Sequence, residues 1–414
     1  DDAQLPRVPR SHLVEVAKVP RRLEKLLGFG FLFCLDILLH ELSFMPLQVA
    51  CTIFRLLIGR LSGRRAAGRL TVAERCELLR LTLLMLNVAL IFTFFDISWV
   101  YHYIRGESFL KLYVIFNMLE MFERWCRSLG VDMFDFVMAS ADDPWRPFLM
   151  KYLATLAYCF VHSTMHWLRI LLLSMALNTS SSAVFLIIVT NNFGEIKSTV
   201  FKRYEVKSLF PIITSDIVER FYLAMDIIFV LSLSGLSPHR GTYTKLDLTF
   251  WLSMLVSLEL GTDWVKFCLI MKFSELSAST LEIYKEVLIA DVLLCRSTHP
   301  LRAAKDTLGG APPPPPSPAV AAVSLCGARS FSHAPARRIG FSGVPMTTLV
   351  VIQLLRLLQA PCSSVLGLSR GTVLLAFVAL FVLVLMAKVL LGVVLLGFAA
   401  RRRGGISKGL EQFL

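Results

Sequence analysis

Charged residues are scarce in this chain of 414 residues, and they make up only 18% of it. A typical soluble domain has about a quarter charged residues. Apolar residues reach 55%, and the mean hydropathy is +0.64. They are concentrated in runs near or above the roughly 20 residues that span a hydrocarbon core. This composition excludes an ordinary soluble domain and predicts an all-α fold, a polytopic transmembrane helical bundle.

Motifs for metal binding and catalysis are also missing. The nine cysteines are scattered without a CxxC pair, which argues against a disulfide framework or a zinc site. The chain has no phosphate-binding loop, dinucleotide fingerprint or kinase signature. GLSRG at 367–371 matches a nucleophile elbow, but it lies between two apolar runs where that motif needs a strand. We predict that the protein is not an enzyme and has no cofactor and no metal site.

The positive charge of the chain is the first feature that points to a partner. The net charge is +13, and the basic residues lie beside the apolar runs. This placement follows the positive-inside rule and the attraction of basic residues to anionic headgroups. It predicts contact with membrane lipid and no binding of nucleic acid.

Apolar segments predict about eight membrane crossings, within a range of six to eight. Pro46 interrupts the run 26–58, which has basic clusters on both sides. Proline tends to end or kink a helix, so we expect a helical hairpin or two short crossings there. An even number of crossings places both termini on one side, and the basic clusters place that side in the cytosol. The remaining crossings are expected at 78–103, 147–177, 215–236, 246–271, 345–358 and 372–399.

Two further segments, 107–127 and 191–205, have the pattern of amphipathic helices. Each gathers apolar side chains on one face and charged side chains on the other. The apolar faces contain Val114, Ile115, Met118, Phe122 and Trp125 in the first segment, and Phe193, Ile196, Val200, Phe201 and Tyr204 in the second. We predict that both helices lie in the membrane interface or pack on the bundle. The alternative is that each merely joins two crossings.

Composition divides the chain into five regions. A stretch rich in Pro, Ala and Ser, which includes APPPPPSP at 311–318, is typical of a flexible linker. The regions are a basic N-terminal segment at 1–25, the main transmembrane bundle at 26–299, the linker at 300–336, C-terminal transmembrane helices at 337–399 and a short basic tail at 400–414.

Six blocks of sequence together resemble one family. They are RRLEKLLGFGFLFCLD at 21–36, YHYIRGESFLKLYVIFNMLEMFERW at 101–125, NNFGEIKSTVFKRYE at 191–205, LFPIITSDIVERF at 209–221, DWVKFCLIMKFSEL at 263–276 and RRIGF at 337–341. In this order they resemble the transmembrane anterior posterior transformation protein family, over about 21–400. The linker at 300–336 departs from the family pattern and looks like an insertion.

The resemblance implies a multi-pass protein of the endoplasmic reticulum membrane. It implies a role in protein quality control through a SUN-like membrane partner, and association with the ciliary basal body, ciliogenesis and developmental patterning. No catalytic residues are established for the family. We therefore expect a non-enzymatic scaffold that binds protein partners. Because the resemblance is densest in the polar segments, the candidate partner-interface residues are Tyr101, Arg105, Glu120, Glu195, Lys197, Lys202, Asp216, Glu219 and Arg220.

Ionisable residues inside the predicted crossings are a second set of candidates, because such residues are costly in a membrane. They are Asp36, His40, Glu41, Asp96, His162, His166, Glu259, Asp263 and Lys266. The pair His162 and His166, with carboxylates, could hold a divalent metal or relay protons. The neighbouring Ser163 and Thr164 favour hydrogen bonding between helices instead, and Lys266 can neutralise Asp263 and Glu259. An ion or small-solute channel or transporter remains the alternative function.

Overall fold

A computed structural model describes the chain at residues 10–61, 70–95, 99–100, 102–103, 109–140, 144–179, 194, 196–236, 245–296, 333–363 and 370–401. Eleven α-helices and one π-helical turn form this described part. They are α1 (Arg10–Leu39), the π turn (His40–Phe44), α2 (Met45–Leu61), α3 (Val72–Phe94), α4 (Phe109–Ala139), α5 (Trp145–Thr179), α6 (Val206–Leu236), α7 (Lys245–Phe273), α8 (Thr280–Arg296), α9 (His333–Ile339), α10 (Gly343–Ser363) and α11 (Arg370–Arg401).

The prediction of an all-α membrane protein is confirmed, but eight crossings are not. Four helical segments of the described chain are long and apolar enough to span a membrane. They are Val16–Gly59, Glu74–Phe94, Trp145–Met175 and Leu375–Arg401. Helices α6 and α7 carry buried charges along their length. The apolar part of α10, Gly343–Leu357, is shorter than a typical crossing.

The first apolar run is one continuous helical segment, so the predicted hairpin at 26–58 is wrong. The π turn His40–Phe44 joins α1 directly to α2, and the N–H of Met45 donates to the carbonyl of His40, five residues earlier. In a regular α-helix the ring of Pro46 would clash with the carbonyl of Leu42, four residues earlier. The wider π turn accommodates the proline without reversing the chain.

Helix α1 lies at the centre of the main hydrophobic core. It packs against α6, α7, α8 and α11, and Leu23, Leu26 and Phe33 are buried. Gly30 permits close contact with α6, since an added Cβ would collide with the side chain of Ile217. Small residues at such crossings let helix backbones approach closely, as in membrane bundles.

A second core lies between α2, α3, α4, α5 and α10. It is built from buried apolar side chains, with Met45, Leu83, Phe134, Cys159 and Val344 among them. Helices α4 and α5 are antiparallel neighbours, because Phe134 meets Tyr158 near one end and residues near the start of α4 cluster with residues near the end of α5. This pairing positions the polar clusters described below.

Helix α4 covers the described part of the amphipathic helix predicted at 107–127 and extends further, to Ala139. The predicted apolar face points away from the protein, and Trp125 is 60% exposed. The polar face points inward, where Glu123 and Arg127 are buried. A membrane protein can adopt this arrangement because lipid solvates the outward apolar face.

The second predicted amphipathic helix, at 191–205, does not form as one helix over its described residues. Residues 196–199 form a helical turn, and residues 200–205 are turn, bend or irregular. Helix α6 begins at Val206, upstream of the crossing predicted at 215–236. At its start the side chain of Ser208 accepts a hydrogen bond from the N–H of Glu205 at 2.9 Å.

Candidate functional site: buried polar clusters between helices

The α6–α7 charge cluster is a chain of alternating charges formed by Glu24, Arg220, Asp263, Lys266 and Asp216. Lys266 Nζ lies 2.6 Å from Asp216 Oδ2 and 3.0 Å from Asp263 Oδ1. Arg220 Nε lies 2.7 Å from Asp263 Oδ2, and its Nη1 lies 3.0 Å from Glu24 Oε1. Spacings of three and four residues place these partners on one face of each helix. The predicted pairing of Lys266 with Asp263 is confirmed.

The α4–α6 charge cluster joins the inward polar face of α4 to the first half of α6. Arg127 Nη2 lies 2.8 Å from Glu219 Oε1, and its Nε lies 3.2 Å from Glu123 Oε1. Arg127 also donates to the carbonyl of Ser215 at 3.0 Å, and Arg124 lies 2.8 Å from Glu120. Burial raises the pKa of the Glu123 carboxyl, and the nearby Arg127 opposes that rise.

The histidine cluster lies beside it and consists of Glu123, His162, His166, Tyr158 and Tyr222. One carboxylate oxygen of Glu123 and one ring nitrogen of each histidine lie within 4.8 Å of one another. The two imidazole rings stack with centroids 4.7 Å apart, and Tyr222 packs edge-on against His166 at 4.5 Å. The hydroxyl of Tyr158 lies 2.8 Å from His162 Nδ1.

Gly130 of α4 makes room for Tyr158 in this cluster, because an added Cβ would collide with the tyrosine hydroxyl. We expect Gly130→Ala to lower the free energy of unfolding by about 1–3 kcal/mol through overpacking. Thermal unfolding of the detergent-solubilised protein measures this effect. Gly28→Ala on α1 is the control, since an added Cβ there meets nothing within 4 Å. Equal stability of Gly130→Ala and the wild type would contradict the contact.

The neighbouring candidates Asp36, His40 and Glu41 have different partners. Asp36 pairs with Lys388 of α11, and we call this pair the α1–α11 charge cluster. Lys388 Nζ lies 2.7 Å from Asp36 Oδ1 and donates to the Asp36 carbonyl at 3.0 Å. Glu41 instead accepts a hydrogen bond from Thr347 of α10 at 2.7 Å, and His40 stacks on Phe44. Asp36 and Glu41 therefore contact different helices, α11 and α10.

The partner-interface candidates divide between surface and interior. Lys197 and Lys202 are exposed, whereas Asp216, Glu219 and Arg220 lie in ion pairs inside the bundle. The latter three thus depart from the predicted surface position. Glu120 is half-buried in the α4–α6 charge cluster, and Glu259 is half-buried on α7. The described residues do not include the candidates Asp96, Tyr101, Arg105 and Glu195, residues 300–332 of the linker, or the tail from residue 402.

Several residues of these clusters were not among the predicted sites. Lys388 is an ionisable residue within the apolar run 372–399, so the rule for charges inside crossings could have found it. The same rule applies to Arg169 and Asp226, whose side chains meet at 2.8 Å. Glu123 gave no such signal, because it lies outside the predicted crossings and its neighbours on α5, His162 and His166, are far away in sequence.

The family of the chain follows from comparison with known proteins. The model of the Eukaryotic membrane protein family matches residues 70–404. The chain belongs to this family. Transmembrane anterior posterior transformation protein 1 of Mus musculus is 29% identical over 349 residues, which are 83% of this chain and 57% of the mouse protein. The resemblance found in the sequence blocks is thereby confirmed.

Two other relatives have a similar sequence identity to this chain. The Danio rerio homologue is 28% identical over 395 residues, 94% of this chain and 63% of its own length. The Drosophila melanogaster protein TAPT1 homolog is 30% identical over 303 residues, 70% of this chain and 44% of its own length. The chain thus spans less than two thirds of the length of these relatives. No solved structure matches the chain.

Proposed function

We propose that this protein is a non-enzymatic, multi-pass scaffold of the endoplasmic reticulum membrane that binds protein partners. Family membership and the four membrane-spanning segments support the membrane part of the proposal. The resemblance to the transmembrane anterior posterior transformation proteins supports a SUN-like membrane partner and work in protein quality control. In ciliated organisms the same scaffold would serve ciliogenesis at the basal body and developmental patterning.

The observation that carries the proposal is an exposed basic and aromatic surface between α5 and α6, which we call the 197–203 patch. Lys197, Lys202 and Arg203 are exposed there, and Phe201 is 79% exposed. The ring of Phe201 lies 6.3 Å from that of Phe273 on α7. Aromatic side chains and arginine are enriched in protein interfaces, and positive charges steer acidic partners toward a surface.

The backbone of the patch is fixed, although its side chains are exposed. Val200 is buried in the main core, and the N–H of Tyr204 donates to Ser274 Oγ at 3.0 Å. The hydroxyl of Tyr204 donates to the carbonyl of Thr199 at 3.1 Å. A preorganised surface pays less conformational entropy on binding, which supports a partner-binding role for this segment.

The intramembrane ionisable groups support a scaffold more than a transporter. They divide among separate contacts: Asp36 with α11, Lys266 with α6 and His162 with Tyr158 on its own helix. A pocket of about 40 Å³ lies beside Glu41 and Arg80, and apart from Glu41 none of the intramembrane candidates lines it. Transport would favour these groups on one continuous path, whereas helix contacts use them separately.

The test replaces Lys197, Lys202 and Arg203 together with glutamine. Because the patch then loses its positive charge, we expect recovery of the SUN-like partner to fall at least about tenfold. Recovery is measured by crosslinking in native membranes, purification of the full-length protein and quantitative mass spectrometry. The matched control replaces Lys18, Arg21 and Lys25, which are exposed on α1, and should leave recovery unchanged.

Two outcomes would contradict this role for the patch. Unchanged partner recovery in the patch variant would show that proteins bind elsewhere. A variant that keeps its protein partners but loses affinity for vesicles with anionic lipid would identify the patch as a membrane anchor, since basic and aromatic residues also suit that interface.

A further inference from the structure

The two histidines of α5 meet one carboxylate of α4 inside the protein. His162 and His166 are four residues apart and share a helix face, while Glu123 faces them from the antiparallel neighbour. All three side chains are at most 2% exposed. One donor atom from each lies within 4.8 Å of the others. Such a set of two imidazoles and a carboxylate is the donor set of many zinc sites.

The hydrogen bonds of Tyr158 determine which nitrogen of His162 carries its proton. A tyrosine hydroxyl has one hydrogen to donate, and that of Tyr158 donates to the carbonyl of Cys126 at 2.9 Å. At 2.8 Å from His162 Nδ1, the hydroxyl therefore accepts from Nδ1–H. This leaves a lone pair on His162 Nε2. Metal-binding histidines are held in the same way, with the outer nitrogen bonded to a second residue.

The cluster also contains buried polar atoms that the packing of the described helices does not explain. His162 Nε2, both ring nitrogens of His166 and the hydroxyl of Tyr222 have no hydrogen-bond partner among the described residues. Buried polar groups are nearly always paired, and unpaired ones are unfavourable. These atoms come from different helices, so a polar ligand bound between them would form hydrogen bonds or coordination bonds with several of them at once.

The charges around the cluster permit this ligand to be a cation. The charged groups that act on Glu123 are the carboxylates of Glu120 and Glu219 and the guanidinium groups of Arg127 and Arg169. Arg169 is offset by Asp226, at 2.8 Å. Arg127 is the opposing charge closest to the site, at 3.2 Å from Glu123. It is shared with Glu219 at 2.8 Å, which limits its repulsion of a cation.

We propose that Glu123, His162 and His166 bind one divalent transition-metal ion, with Zn²⁺ as the ion best suited to this donor set. The site ties α4 to α5 and is structural. Tyr158 acts as a positioning residue that orients His162. This site is independent of the 197–203 patch and does not require the proposed scaffold function.

The experiment measures metal binding by the full-length protein purified in detergent micelles and stripped with a chelator. Zn²⁺ is added, and the number of metal ions bound per chain is measured by inductively coupled plasma mass spectrometry. Co²⁺ in its place reports the ligand set by its visible absorption. We expect one metal ion per chain, and a thermal unfolding midpoint that rises with free Zn²⁺ because the ion binds only the folded state.

The variants are Glu123→Gln, His162→Gln and His166→Gln. Each removes one ligand, so we expect affinity to fall by more than the roughly 10- to 100-fold loss that is typical of an outer-shell partner. His40→Gln is the matched control, because His40 is also a buried histidine but lies in the π turn. It should keep one ion per chain and the wild-type Co²⁺ spectrum.

If the glutamine variants do not fold, Tyr158→Phe provides the test, because this substitution retains the aromatic ring and removes only the hydroxyl group. We expect it to weaken Zn²⁺ binding by about 10- to 100-fold. The proposal is overturned if the wild type binds no metal, since water would then fill the cluster. It is also overturned if affinity is unchanged in Tyr158→Phe or in all three ligand variants.

Discussion

Replacement of Lys266 with methionine is expected to lower the free energy of unfolding by about 3–5 kcal/mol, the usual effect of breaking a buried ion pair. Lys266 is 1% exposed and lies between the carboxylates of Asp216 and Asp263, at 2.6 and 3.0 Å. Methionine keeps much of the volume but removes the ammonium group that lies between the two buried carboxylates. Arg220 remains beside Asp263, at 2.7 Å.

Denaturant titration in mixed micelles measures the effect on Lys266→Met. Lys272→Met is the control on the same helix, because Lys272 is exposed and surface substitutions usually change stability by at most about 0.5 kcal/mol. If both variants unfold at the same denaturant concentration as the wild type, the α6–α7 charge cluster does not hold these helices together.

Replacement of Lys388 with leucine is expected to have a comparable effect, about 3–5 kcal/mol. The substitution makes α11 more apolar, so hydrophobicity alone would favour insertion of the variant helix. It also leaves the Asp36 carboxylate, which is 0% exposed, without the ammonium group now 2.7 Å away. The loss is measured as the amount of folded protein in membranes and as resistance to protease.

The double variant Asp36→Leu, Lys388→Leu separates the ion pair from the rest of the contact. Replacing both members of a buried pair with apolar groups is often neutral or stabilising. We therefore expect the double variant to recover most of the stability that Lys388→Leu loses, with a coupling energy above about 2 kcal/mol. Losses that simply add would show that the two side chains act independently.

These charge clusters explain how a chain with few charged residues keeps a defined arrangement of helices. Lipid solvates apolar side chains as well as protein does, so burial alone does not select one packing of helices in a membrane. Ion pairs between helices add that selection. The α4–α6 and α6–α7 charge clusters join four helices, α1, α4, α6 and α7, and Asp36 with Lys388 adds the contact of α1 with α11.

The sequence by itself determined the class of the protein and much of its helix content. Scarcity of charge and apolar runs of crossing length are local properties, so they predicted the membrane bundle and crossings at α5 and α11. The sequence blocks also identified the family, because they are read along the chain. The pairing of Lys266 with Asp263 followed from their spacing on one helix.

Only the tertiary structure decided which faces and which helices meet. The amphipathic pattern of α4 did not reveal that its charged face is the buried one, because lipid can take the place of protein against the apolar face. The neighbour of His162 and His166 is Glu123 on another helix, and no spacing in the sequence encodes a contact between helices. The continuity of α1 and α2 through Pro46 likewise depended on a π turn, which relieves a clash that sequence rules treat as a break.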